Sequence, residues 1–151
     1  MSHPATSLAD SKAGRARGPG ATQPDTARVF SGEELSVLHR WAHAFYTQGL
    51  YEEAARYFWF LSISAPGETT YLKGLGACQF MARRFEEAAD TYSLLTLLAL
   101  RDAEAHCLCG HSLLMLGELA DARGFLGQAC RLPGKPEFSA KARALLTLLE
   151  A

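Results

Sequence analysis

The chain has 151 residues with 15 basic and 16 acidic side chains, and a net charge of -1 supplies no electrostatic footprint for nucleic acid or for an anionic membrane surface. With 48% hydrophobic residues it is long enough for one core and too short for two. Its longest oily runs, 57–63 and 94–100, fall far short of the roughly 20 residues a spanning helix needs, so no membrane insertion is expected.

Residues 1–30 are rich in Gly, Pro, Ser, Thr and Ala and include Arg17-Gly18-Pro19-Gly20. They offer little apolar surface to offset ordering entropy and are expected to be a disordered tail. The tail carries Lys12, Arg15, Arg17 and Arg28 against Asp10 and Asp25, which leaves the folded part, 31–150, mildly acidic. It holds no apolar run of the kind a secretory signal requires. Cys78, Cys107, Cys109 and Cys130 lie within apolar helical patterns, which suits reduced thiols in a cytoplasmic protein rather than a disulfide framework.

From Ser31 the texture changes. Ser31 with Glu34 three residues later makes a capping-box start ahead of Leu35, Leu38, Trp41, Ala42 and Phe45 at helical spacing. Helix is expected to follow helix from there, punctuated by Gly49, Pro66, Gly67, Gly117, Pro133 and Gly134, because no segment alternates with period two over a useful length. The stronger signal is self-similarity. Gly49-Leu50-Tyr51-Glu52-Glu53-Ala54 returns 34 residues later as Arg83-Arg84-Phe85-Glu86-Glu87-Ala88, and again as Gly117-Glu118-Leu119-Ala120-Asp121-Ala122. Four residues beyond each alanine stand Phe58, Tyr92 and Leu126, and Trp41-Ala42, Leu75-Gly76 and Cys109-Gly110 hold equivalent upstream places.

This pattern resembles the tetratricopeptide repeat, with Pro66 and Pro136 at or near the place of its terminal proline and Arg83 where a turn glycine is usual. The expected fold is all-α: repeats at about 35–68, 69–102 and 103–136, each an antiparallel helix pair, stacked as a short solenoid. A last helix at 137–149, with Phe138, Ala142, Leu145, Leu146 and Leu149, is expected to cap the open end.

In such a stack the first helix of each pair lines a concave face. The register sets Ser36, His39, His43, Tyr46 and Thr47 there from the first repeat. Thr70, Lys73, Ala77, Phe80 and Met81 follow from the second, and Glu104, Cys107, His111, Leu114 and Met115 from the third. Aromatics and methionines at open positions suit an apolar peptide groove, against the alternative that they are core. Lys73 is almost the only cation on this face, so the expected ligand is an internal, extended, apolar stretch of protein rather than a chain-terminal carboxylate.

Four blocks make the resemblance more specific: Gly49 to Ala54, Leu72-Lys73-Gly74-Leu75-Gly76-Ala77-Cys78, Gly117 to Ala122, and Lys135-Pro136-Glu137-Phe138. Together, over about 33–150, they look like the class II chaperones of type III secretion. That resemblance implies a bacterial cytoplasmic chaperone that binds pore-forming translocator proteins through a short extended segment with proline and leucine at fixed spacing. It implies that Tyr46, Tyr51 and Phe80 match aromatic places of the groove, and that His39 and His43 stand where relatives often carry aromatics. It also implies possible self-association through the region before and within the first repeat, as a homodimer, and a possible transcriptional activator as a further partner. The competing reading is an adaptor, or a partner for a secretion needle subunit, that binds a helix or a folded surface.

Catalytic and metal chemistry find little support. His39-Arg40-Trp41-Ala42-His43 lacks the glutamate of a zincin, and Cys107-Leu108-Cys109 on a helix points its thiols about 200° apart. Gly74-Leu75-Gly76 follows no strand and fits close helix packing better than a phosphate loop. The acidic pairs at 33–34, 52–53 and 86–87 fall on helix starts, where they suit the dipole. No cofactor is implied, and no enzyme activity is expected.

Overall fold

A computed structural model describes residues 29–151. The expectation for the tail, apart from Val29 and Phe30, lies outside the described residues. Seven helices follow in order: α1 Gly32–Thr47, α2 Tyr51–Ser64, α3 Thr69–Met81, α4 Phe85–Leu98, α5 Ala103–Leu116, α6 Leu119–Arg131 and α7 Pro136–Glu150. No strand occurs among the described residues. Each helix packs on the next, and α7 reaches back to α5 as well as α6, so three antiparallel pairs stack into a short solenoid closed by a seventh helix.

The helix starts are set by local chemistry. At α1 the Ser31 hydroxyl accepts from the Glu34 amide at 3.2 Å while the Glu34 carboxylate accepts from the Ser31 amide at 2.9 Å, which satisfies two orphan donors reciprocally. Asp102 caps α5 by accepting from the Ala105 amide at 3.1 Å, and Glu68 does the same for α3 from Thr70 at 3.1 Å. Pro136 opens α7, where its missing N–H costs nothing.

The turn inside each pair repeats one conformation. Gly49, Arg83 and Gly117, one period apart, have φ of 77°, 63° and 80°. Two of the three are glycine because this left-handed region crowds a Cβ, and Arg83 adopts it without that freedom.

Pairing of the helices within a repeat depends on a small residue facing a large one. A methyl group added at Gly76 would stand 2.7 Å from the Tyr92 ring, and one at Gly110 would stand 2.7 Å from Leu126. Gly74 does the same between repeats: its missing side chain admits the Phe58 ring, which would lie 2.3 Å from an added Cβ. Phe58, Tyr92 and Leu126 are in consequence buried at the 34-residue interval, each in its own layer of core.

Candidate binding groove

The first helices of the three pairs are joined across one face by side chains. His39 of α1 meets Tyr71 of α3 with ring centroids 5.1 Å apart, and Phe80 of α3 lies against His111 of α5 at 4.6 Å. Lys73 of α3 reaches Asp102 at 2.7 Å and Glu104 at 2.8 Å, at the start of α5.

This face carries His39, His43 and Tyr46 from α1, Lys73, Ala77, Phe80 and Met81 from α3, and His111, Leu114 and Met115 from α5, with Tyr51 beside it at the start of α2. Every one of these side chains keeps some exposure, whereas Ala42, Leu75, Cys78 and Cys109 on the same helices are buried. Cys107 is a correction to the register. It is wholly buried with Leu126, Ala129 and Ala142, because α7 lies over that part of α5.

The apolar part of the face is built from a repeated unit. Tyr46 and Tyr51 meet edge to face at 5.4 Å, and one period later Phe80 and Phe85 meet the same way at 5.1 Å. Leu114 and Leu119 hold the corresponding places in the third repeat. Partly exposed rings with fixed neighbours present contact area without much rotamer freedom to lose.

The polar part is more constrained than residue types alone suggest. Burial by itself would lower the Lys73 ammonium, but its hydrogen bonds and charge contacts with Asp102 and Glu104 outweigh this and hold it above the ordinary lysine range. Asp102 shows the converse: burial would raise it, while Lys73 and the Ala105 amide hold it below the usual carboxylate range. Lys73 is therefore already neutralised and is no free anchor for a carboxylate.

The Nε2 atoms of His39 and His43 lie 3.0 Å apart, and both rings stand nearly perpendicular to buried Phe58, at 5.9 Å and 5.5 Å. Burial, then His43, lowers the His39 pKa, with Glu68 opposing. His111 is also held below its ordinary value, first by burial and then by the Lys141 ammonium. Its Nδ1 is buried without a hydrogen-bond partner.

The second cluster of potential ligands disperses. Cys107 and Cys109 face different core layers, His106 bonds the Asp102 carbonyl at 2.9 Å through Nδ1, and burial pushes the Cys109 thiol up to about 12. Among the described residues no group of three or more His, Cys, Asp and Glu is placed to hold a metal ion.

Sequence reasoning missed Tyr71, Phe85 and Asp102 at this face. Phe85 was available from the repeat, since it stands 34 residues after Tyr51. The Lys73–Asp102 pair has no local signal, because it spans neighbouring repeats.

Cavities also lie outside the row of Tyr46, Phe80 and Leu114. One of about 740 Å³ runs from Lys73 and Glu104 past Leu97 and Leu100 to Phe138, between the α4–α5 and α6–α7 turns. Another of about 590 Å³ is lined by Phe30, Leu38, Phe45, Tyr57 and Phe60, with Glu53 and Arg56, on the first pair.

Comparison with known proteins gives a consistent picture. Residues 70–100 match the tetratricopeptide repeat family. The low calcium response locus protein H of Yersinia pseudotuberculosis is 29% identical over 123 residues, covering 80% of this chain and 73% of that protein. Two crystal structures of the Yersinia enterocolitica type III secretion chaperone SycD are similar. The complex with a peptide of the translocator YopD has a TM-score of 0.73 at 27% identity, covering 80% of this chain and 95% of that one. An alternative dimer of the same chaperone also gives 0.73 at 27% identity, covering 80% and 94%.

Proposed function

We propose that this chain is a tetratricopeptide chaperone of type III secretion translocators and that it binds an extended apolar segment of a translocator along α1, α3 and α5. The observation that carries this assignment is the row Tyr46, Phe80 and Leu114, one period apart and left partly open while Ala42, Gly76 and Gly110, four residues before each, are buried. Spaced apolar contacts on a solenoid's inner face suit alternate side chains of an extended peptide. Neutralisation of Lys73 by two carboxylates favours an internal segment over a chain end.

The physical task is masking. A protein destined for a membrane carries long apolar stretches that aggregate unless covered, and a rigid groove that grips one such stretch keeps its owner apart from other copies. The chaperone acts in the bacterial cytoplasm, catalyses no reaction, and pairs with a second copy through the apolar surface of its first repeat around Phe30, Phe45 and Tyr57. A transcriptional activator is a further partner once the groove is empty.

The test is recovery of partners from native cytoplasm with the tagged chain, with Phe80→Glu and with Leu114→Glu, circular dichroism confirming that each variant keeps its helicity. The expected result is that a protein with long apolar segments is retained by the unaltered chain and lost from both variants. Folded partners retained equally by all three chains would identify an adaptor and remove the groove assignment.

A further inference from the structure

His39 and His43 lie one helical turn apart on α1, and the structure brings their Nε2 atoms to 3.0 Å, a feature that residue spacing alone does not supply. Two neutral imidazoles in this arrangement either share one proton or present two lone pairs to one acceptor. An ion bound at about 2.0–2.1 Å from each nitrogen would subtend an angle of about 95°, by the usual metal–imidazole distances. That is close to the right angle of square-planar and octahedral coordination and well short of the roughly 109° of a tetrahedral zinc site.

The pair is also held in place. Both rings pack edge to face on Phe58, which is buried, and His39 packs a second time on Tyr71. A chelate whose ligands are fixed by packing loses little freedom on binding. His43 is exposed and His39 half-buried, so the vacant coordination positions face the groove. Glu68 lies near enough to favour positive charge at His39, although its carboxylate is already engaged by the Thr70 amide and hydroxyl.

We propose that His39 and His43 form a two-histidine site for a divalent transition-metal ion of tetragonal preference, of the nickel(II) and copper(II) class, open to water or to a group on the bound peptide. Binding requires only that the ring donating at Nε2 carry its proton on Nδ1 instead, with no net proton release. Of the other described histidines, His106 is committed to the Asp102 carbonyl and His111 packs its ring against Phe80.

The experiment is calorimetric titration of the full chain with nickel chloride, in a background carrying His3→Ala so that a histidine outside the described residues contributes nothing. One equivalent is expected to bind, and His39→Ala and His43→Ala are each expected to weaken it at least about tenfold, as loss of a direct ligand should exceed the effect of losing a supporting group. In the same samples nickel should broaden the ring proton resonances of His39 and His43 before those of His106 and His111. Absence of binding, or binding unaltered by both substitutions with other resonances broadened first, overturns the site. Neither result bears on whether a peptide occupies the groove, so failure here leaves the chaperone assignment standing.

Discussion

The Phe80 ring lies tilted against the His111 imidazole, 4.6 Å between centroids, and the Nδ1 of that imidazole is buried with no hydrogen-bond partner. An aromatic contact between repeats thus sits on a ring that carries an unsatisfied buried atom. Such an atom costs on the order of 1–3 kcal/mol, so His111→Leu, of similar volume, is expected to stabilise the fold by about 1 kcal/mol at pH 7. Because the folded-state pKa of His111 is depressed by burial and then by Lys141, the stability tied to its neutral form is complete above the unfolded value and falls as pH drops through about 6.5 toward the folded value. Urea unfolding at pH 7 and pH 5 checks both points: the advantage of His111→Leu should widen at the lower pH.

Asp102 joins two functions, capping α5 and neutralising Lys73. Asp102→Ala is expected to cost about 0.5–2 kcal/mol, the usual range for a lost cap. Its folded pKa is depressed, so its contribution is present above the ordinary carboxylate value of about 4 and is lost as pH falls through the folded value. The difference in denaturation midpoint between the unaltered chain and Asp102→Ala should therefore shrink in acid.

Arg83 holds a backbone conformation that its counterparts Gly49 and Gly117 adopt freely. The left-handed region disfavours a side chain by roughly 1–2 kcal/mol, while glycine loses more chain entropy on folding. The balance predicts a gain of about 0.5–1 kcal/mol for Arg83→Gly, and Gly117→Ala should destabilise. The Arg83 guanidinium sits 5.6 Å above the Phe85 ring, an exposed contact too weak to reverse the sign. Thermal unfolding of both variants decides it.

Two glycines inside helices should respond oppositely to the same change. Gly124 on α6 has open space around it, and alanine there should stabilise by about 0.5–1 kcal/mol through helix propensity alone. At Gly74 an added methyl meets the buried Phe58 ring at 2.3 Å, and overpacking of this kind costs roughly 1–3 kcal/mol, more than propensity returns. Gly74→Ala should therefore lower the melting temperature while Gly124→Ala raises it.

The repeat made much of this legible in advance. A period of 34 residues carries the pair of helices, the turn conformation and the small-to-large contact with it, so Ala54, Ala88 and Ala122 come out equally buried. The candidate groove residues Tyr46, Phe80 and Leu114 were named from register, and the structure leaves each of them partly exposed. What breaks the period was not. Cys107 occupies an open position in the repeat but is covered by α7, an element with no counterpart upstream. The Nε2 separation of His39 and His43 depends on rotamers set by Phe58 and Tyr71, which lie on other helices. The pairing of Lys73 depends on where the next repeat begins.

A stack of like layers has no intrinsic length, and each end is an invitation to add another layer. By laying Ala142, Leu145 and Leu146 on the last pair, α7 withdraws that invitation at one end. At the other end Trp41 remains more than half exposed beside Phe45 and Tyr57, which also line the cleft that begins at Phe30. A like surface that docks there would be satisfied by one partner, closing a pair about a two-fold axis rather than adding a further layer to the stack.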